Sequence, residues 1–161
     1  MKTKHFFLAC CILLCSYSEA YPQVDRDEQS KRNKQIITSA FEHWKNGTGN
    51  FFDILADDVE WTVAGSGMLS GIYKGKAHFI QRAVLPINNR LATKITPQLI
   101  TLTAEGSTVW IHWSGSATTK SGGGYKNEYA WELELQNGKI IKAVAFLDTK
   151  KLEELLTNKT N

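Results

Sequence analysis

The chain has 161 residues, is 42% hydrophobic and 22% charged, and carries a formal net charge of +3. That composition fits one ordinary globular domain with enough apolar mass for a core. Five Trp, seven Phe and five Tyr against three Pro exclude a disordered chain, and a charge of +3 is too weak to argue for a nucleic-acid partner. All three cysteines, Cys10, Cys11 and Cys15, lie within the first fifteen residues, so the remainder can form neither a disulfide nor a thiolate metal site, and has no thiol nucleophile.

Residues 1–20 have the pattern of a secretory signal. Lys2, Lys4 and His5 give a basic start, and residues 6–14 are an almost unbroken apolar run, too short for a permanent membrane anchor. Ser18 and Ala20 put small residues where a signal peptidase reads. A lipid anchor is the weaker reading: Cys10 follows too short an apolar run, and Cys15 follows the bulky Leu14. The expectation is an exported protein, periplasmic or secreted. Removing residues 1–20 takes away two Lys and one Glu, leaves a net charge of +2, and leaves the mature chain free of cysteine.

Residues 21–32 are polar and of mixed charge, which predicts a flexible leader. Ile36, Ile37, Ala40, Phe41 and Trp44 then recur at helical spacing, which predicts an amphipathic helix over 30–46 stopped by Gly47. A short second helix is expected over 51–56 with Asn50 as its cap, a strand over 59–64 broken by Gly65-Ser66-Gly67, and a third helix over 76–84 ahead of Pro86. Segments 93–104, 108–119, 125–135 and 139–147 are rich in β formers. Turn residues separate them: Glu105-Gly106, then 121–124, then Asn137-Gly138, which suits a type I′ hairpin. Connections this short imply an antiparallel meander. Asp148 is placed to cap a closing helix carrying Leu152, Leu155 and Leu156, and 157–161 form a tail. Helices first and strands afterwards mean an α+β domain spanning 33–156.

That order resembles the nuclear transport factor 2-like superfamily, and several phrases strengthen the likeness. Residues 52–61 (Phe-Asp-Ile-Leu-Ala-Asp-Asp-Val-Glu-Trp) and the loop from Gly65 through Gly71-Ile72-Tyr73-Lys74-Gly75-Lys76 are two of them. Asn127-Glu128-Tyr129-Ala130-Trp131, Asn137-Gly138-Lys139-Ile140 and Phe146-Leu147-Asp148-Thr149 resemble strands of its SnoaL-like, ketosteroid-isomerase-related members. The resemblance implies a cone: a curved antiparallel sheet wrapped around the N-terminal helices, with a pocket at its mouth. It implies no fixed activity, because the superfamily hosts isomerases, cyclases, epoxide hydrolases, dehydratases and binders. The ketosteroid isomerases' base falls here at Thr62, their oxyanion-hole tyrosine near Ala40, and their acid donor near Ala130 or its neighbours Tyr129 and Trp131. The epoxide hydrolases' aspartate falls at Ala145. Both mechanisms therefore lack parts in this chain.

Side chains alternate along a strand. In 125–135 the even positions are Lys126, Glu128, Ala130, Glu132 and Glu134, which marks the odd set as the inner face. Asn127 and Tyr129 are then polar groups among Trp131, Leu133 and Leu135. They could orient a carbonyl-bearing ligand or stabilise an oxyanion, or simply satisfy buried backbone groups. His112 shares a face with Trp110 and Ser114, opposite Val109, Ile111 and Trp113. If the Trp110 face lines the cone, His112 is the best general base in the chain, but both faces carry a tryptophan and parity does not choose. Asp148 is either a helix cap or an acid or base at the pocket mouth. Trp61 and Tyr73 are candidates for an aromatic pocket wall or for ordinary core.

Asp57-Asp58 alone is not a ligand set, and no cluster has metal-ligand spacing. No organic or metal cofactor is called for. Asn46-Gly47-Thr48 and Asn158-Lys159-Thr160 fit the glycosylation pattern, which is short enough to arise by chance. The expected partner is a small, largely apolar, oxygen-bearing molecule bound by Trp61, Tyr73, Asn127, Tyr129 and Trp131, with cofactor-free isomerase, cyclase or lyase chemistry at His112 and Asp148 as an extension. Neither nucleic acid nor a stable membrane anchor is expected. A homodimer is common among proteins of the resembling family. The rival expectation is a non-catalytic interaction or dimerisation module that works through the exposed sheet face.

Overall fold

The N-terminal helix is longer than its apolar stripe. In the computed structural model, which describes residues 20–157 and side chains from residue 25 on, α1 runs Ala20–Lys45. The signal segment up to residue 19, with its cysteines, and the tail beyond Thr157, with Asn158, lie outside the described residues. The flexible leader expected over 21–32 is instead helical, and the reason is a contact far away in sequence. Gly106, in the turn between the third and fourth strands, gives its carbonyl to Asn33 Nδ2 (2.8 Å) and its N–H to Ser30 Oγ (2.8 Å). Arg26 stands 3.5 Å from Glu105 of the same turn. The polar first half of α1 is held by that turn, and Asn33, Ile37, Ala40 and Phe41 are its buried positions.

After the Gly47 turn, Asn50 caps one 3-10 turn, Phe51–Ile54, with the full reciprocal bonding of a capping box: its side chain accepts from Phe52 N–H, and Asp53 accepts from Asn50 N–H. The expected second helix is this single turn, because the chain passes directly into β1 (Leu55–Val63). β2 (Gly71–Lys74) pairs antiparallel with β1, a strand where the sequence pattern suggests only a loop. The third helix is α2 (Lys76–Phe79), a π turn (Ile80–Val84) and α3 (Leu85–Asn88) in succession, so it runs through Pro86 rather than stopping before it. Leu85 N–H donates to the Ile80 carbonyl, a five-residue step. That shift of register brings Pro86 into the first turn of α3, where a missing N–H is tolerated.

β3 (Thr96–Glu105), β4 (Thr108–Thr118), β5 (Gly124–Gln136) and β6 (Lys139–Leu147) form the expected meander. Asn137 (φ 50°) and Gly138 (φ 77°) make the predicted hairpin turn. The six-stranded sheet has the order β2-β1-β6-β5-β4-β3. One pair corrects the all-antiparallel expectation: β1 runs parallel to β6, with Trp61 opposite Ala143 and Val63 opposite Ala145. The chain's first long strand and its last are thus neighbours, joined by everything between them. The architecture is the expected α+β cone, with α1 packed against β3 and β4 on the inner face. α4 (Thr149–Thr157) closes one end, where Leu152, Leu155 and Leu156 bury against Leu91 and Tyr125.

Candidate functional site

A cavity of about 450 Å³ opens between the helices and the inner sheet face. Its wall is aromatic: Trp44 of α1, Phe52 of the 3-10 turn, Trp61 of β1, Phe79 of α2, Trp113 of β4, and Tyr129 and Trp131 of β5. Four tryptophans form an edge-to-face series. Trp61 meets Trp131 at 5.1 Å, Trp131 meets Trp113 at 4.7 Å, and Trp113 meets Trp44 at 5.2 Å. Phe79 stacks on Trp61 at 4.4 Å and Tyr129 on Trp113 at 3.9 Å. Gly115, one strand turn beyond Trp113, has no room for a side chain. A Cβ there would lie 2.8 Å from Ile95 Cγ2 and 2.9 Å from Trp113 Cζ3, so the ring keeps its place against the cavity only above a glycine.

The rim is polar and exposed, with Asn50, Asn88, Thr93 and Lys94. Its segment between α3 and β3 is pinned to the β4–β5 hairpin. Ala92 N–H donates to Thr118 O (2.8 Å), Lys120 N–H to Arg90 O (2.9 Å), and Thr118 N–H to Thr93 Oγ1 (2.9 Å). Among the described lining residues Lys94 is the single charged one, and no Asp, Glu or His is found. The indole N–H groups of Trp113 and Trp131 are sealed from solvent and have no hydrogen-bond partner among the described residues, although other atoms of both side chains line the cavity. Buried donors are nearly always paired, so two unpaired ones on a single wall are an unusual concentration.

The strand parity expected for β5 holds along its whole length, with buried residues at every odd position from Tyr125 to Leu135. Trp61, Tyr129 and Trp131 accordingly stand together on the cavity wall. Asn127 is on the same face but not at the cavity. It is wholly buried, and its bonds are all used: Oδ1 accepts from Glu128 N–H (2.8 Å) and Asp148 N–H (3.2 Å), while Nδ2 donates to Asp148 O (3.0 Å) and Tyr125 Oη (3.1 Å). It ties β5 to the start of α4. Tyr73 also falls away from the cavity: it pairs opposite Trp61 on β2, its hydroxyl donates to Leu69 O (2.7 Å), and it lines a separate surface groove with His78 and Arg82.

Neither candidate acid–base residue reaches the cavity. On β4 the buried face is Val109, Ile111 and Trp113, which leaves His112 on the outer face beside exposed Trp110, with Nε2 3.5 Å from Glu128 Oε2. The tryptophan that points inward is Trp113, and this choice between two tryptophan-bearing faces decides the position of His112. Asp148 is the α4 cap: Oδ1 accepts from the N–H groups of Lys150 (3.1 Å) and Lys151 (3.2 Å). Sequence reasoning missed Trp44 and Trp113 as wall residues, although Trp44 was recognised on the apolar stripe of α1. The fact that the stripe faces the cavity could have been read only with the sheet's curvature known.

The SnoaL-like domain model matches residues 37–143. The chain belongs to the SnoaL-like family. No curated protein matches it in sequence. Among solved structures, this SnoaL-like chain is similar to an NTF2-like protein from Burkholderia thailandensis E264, with a TM-score of 0.62 and 19% identity over 78% of this chain and 98% of that one. It is similar to TerC, co-crystallised with polyporic acid (TM-score 0.63, 17% identity, 78% and 98% of the two chains). A candidate SnoaL-like polyketide cyclase from Jannaschia sp. CCS1 is a third relative in fold (TM-score 0.63, 12% identity, 81% and 94%). At these identities the likeness is one of fold.

Proposed function

We propose that this SnoaL-like chain is an exported binding protein whose cavity takes a small, largely apolar molecule bearing oxygen acceptors. The observation that carries the reading is a cavity walled by aromatic side chains, with the phenol Tyr129 in that wall and a polar rim at Asn50, Asn88, Thr93 and Lys94. Aromatic faces supply apolar burial, and the rim amides, the Lys94 ammonium and the Tyr129 phenol can donate hydrogen bonds, so the complementary ligand is apolar with oxygen lone pairs. A volume of about 450 Å³ is within the range of small-ligand sites. The fold relative TerC was co-crystallised with polyporic acid, so this architecture has been prepared with a small molecule before.

Among the described lining residues the titratable side chains are Lys94 and Tyr129. Isomerase, cyclase or lyase chemistry would have to use those two groups. The test is native mass spectrometry of the protein purified without its first twenty residues, followed by identification of any released molecule. A bound apolar species with oxygen acceptors is the expected result. An empty protein that also fails to bind hydrophobic aromatic probes would sink the reading. Export is tested by the N-terminus of the protein recovered outside the cytoplasm, expected at Tyr21.

A second reading has one observation behind it. Trp110 and Phe146 lie exposed on the outer sheet face, stacked at 6.4 Å and 16°. That apolar pair is where a second copy would dock, and sedimentation of Trp110→Glu against the unaltered protein tests it: a dimer that becomes a monomer supports the interface, and a monomer in both refutes it.

A further inference from the structure

Of the two hydroxyl hydrogens of Tyr125 and Tyr129, one has no acceptor among the described residues, and the residue that carries it follows from a chain of three side chains. Asn127 Oδ1 accepts two backbone N–H groups, from Glu128 and Asp148, which fixes the amide so that Nδ2 faces the other way. One Nδ2 hydrogen goes to Asp148 O and the other to Tyr125 Oη, at 3.1 Å. Tyr125 Oη is therefore an acceptor from Asn127, and it stands 3.0 Å from Tyr129 Oη. The two phenols share one hydrogen, and either could give it.

The alternatives differ in what they strand. If Tyr129 donated to Tyr125, the Tyr125 hydrogen would be buried with no acceptor among the described residues, beneath α4 in the second apolar cluster. If Tyr125 donates to Tyr129, the hydrogen left over belongs to Tyr129, whose side chain lines the cavity. An unmet buried donor is costly, whereas a donor at a ligand cavity is met when the ligand arrives. Burial pushes both phenols above their ordinary value, so both keep their hydrogens at neutral pH.

We propose that Asn127, Tyr125 and Tyr129 form a one-way hydrogen-bond relay that ends on a ligand oxygen, with Tyr129 as the contacting donor and Tyr125 and Asn127 as positioning residues. Each link polarises the next, so the last donor is stronger than an isolated phenol. The relay starts outside the cavity, in the bonds that join β5 to α4, and it fixes where the polar end of the ligand lies: at the β5 wall, beside the Trp113 ring on which Tyr129 stacks. This proposal rests on the cavity being a ligand site. It adds that the ligand class is one with a carbonyl-type oxygen able to meet Tyr129.

The test compares two probes of nearly equal shape, 2-acetylnaphthalene and 2-isopropenylnaphthalene, which differ in a carbonyl oxygen against a methylene. The unaltered protein should bind the ketone about tenfold more tightly, a typical worth for one added hydrogen bond, and should lower its C=O stretching frequency. Tyr129→Phe should bring the two affinities together and abolish the frequency shift. Tyr125→Phe keeps the Tyr129 hydroxyl but removes its donor, and should cut the preference to about threefold with a smaller shift. In both variants, a melting temperature near that of the unaltered protein together with retained hydrocarbon binding shows that the cavity still forms. Equal affinity for the two probes in the unaltered protein, or a preference unchanged by Tyr125→Phe, overturns the relay while leaving the cavity reading in place. Failure of the unaltered protein to bind either probe overturns both.

Discussion

Tyr129 lies flat against Trp113, with ring centroids 3.9 Å apart and planes 8° from parallel. The two residues face one another across β4 and β5 in register, so the stack is a cross-strand pair on the inner face of the sheet. It joins an apolar wall to a polar group: one ring holds its place by packing, and the other carries the hydroxyl. Trp113 also meets Phe41, Trp44 and Trp131, so its removal would loosen both the core and the cavity.

Trp113→Ala is accordingly expected to cost about 3–5 kcal/mol, as for other large buried aromatics. Trp110→Ala, on the opposite face of the same strand and half exposed, should cost less than about 1 kcal/mol. Urea denaturation followed by circular dichroism measures both. Equal losses would mean that the two faces of β4 are reversed.

His112→Ala should leave both the stability and the affinity for aromatic probes within about 0.5 kcal/mol of the unaltered protein, since an exposed ion pair with Glu128 contributes little. Asp148→Ala should cost about 1 kcal/mol through the lost cap while leaving probe affinity alone. Isothermal titration with 2-acetylnaphthalene beside thermal melts separates the two effects. A tenfold loss of affinity in either variant would restore that residue to the site.

Asn127→Ala removes a wholly buried side chain with four hydrogen bonds and strands the groups that it served. A loss of about 3 kcal/mol is expected. The urea midpoint should fall with little change in slope, because the same surface is exposed on unfolding. A variant as stable as the parent would show that water replaces the amide.

Alkaline stability should follow the buried phenols. Tyr125 and Tyr129 are raised above 10.0 by burial, Tyr129 well above it. Above pH 10 the unfolded chain therefore loses protons that the folded chain keeps. Folding stability is unaffected below that pH and declines as pH rises beyond it, with a limiting slope of about 1.4 kcal/mol per pH unit for each phenol. The double variant Tyr125→Phe/Tyr129→Phe should flatten the decline between pH 10 and 11.5, as measured by urea midpoints. A slope identical to the parent's would mean that the phenols titrate freely in the folded state.

What the sequence made legible was what local chemistry determines. The alternation of β5 placed Tyr129 and Trp131 inside, Asn137-Gly138 placed the β5–β6 turn, and the cap was one of the two roles that residue type and position left open for Asp148. What it hid depended on partners distant in the chain. Residues 25–32 look like solvent-loving polar sequence because their partner is Gly106, more than seventy positions away. Asn127 looked like a ligand group because its partners at Asp148 belong to another element. His112 was undecidable because tryptophans stood on both faces of β4, and only the packing of Trp113 against Phe41 and Trp131 distinguishes them. The run through Pro86 needed a π turn, which leaves no residue signature here.

The parallel pairing of β1 with β6 has a consequence for biogenesis. Trp61 leaves the ribosome some eighty residues before Ala143 and Ala145, the neighbours that flank β1 on its β6 side. Until residues 139–147 are made, β1 and β2 can pair only as a two-stranded ribbon with an open edge, too small to persist alone in water. Closing so long a loop is the entropically costly step, so β1 can gain its β6 neighbour only after residues 139–147 have been made. The strand that closes β1 also brings Ala145 and Leu147 to the cavity, so the parallel pairing and that part of the cavity wall are completed together.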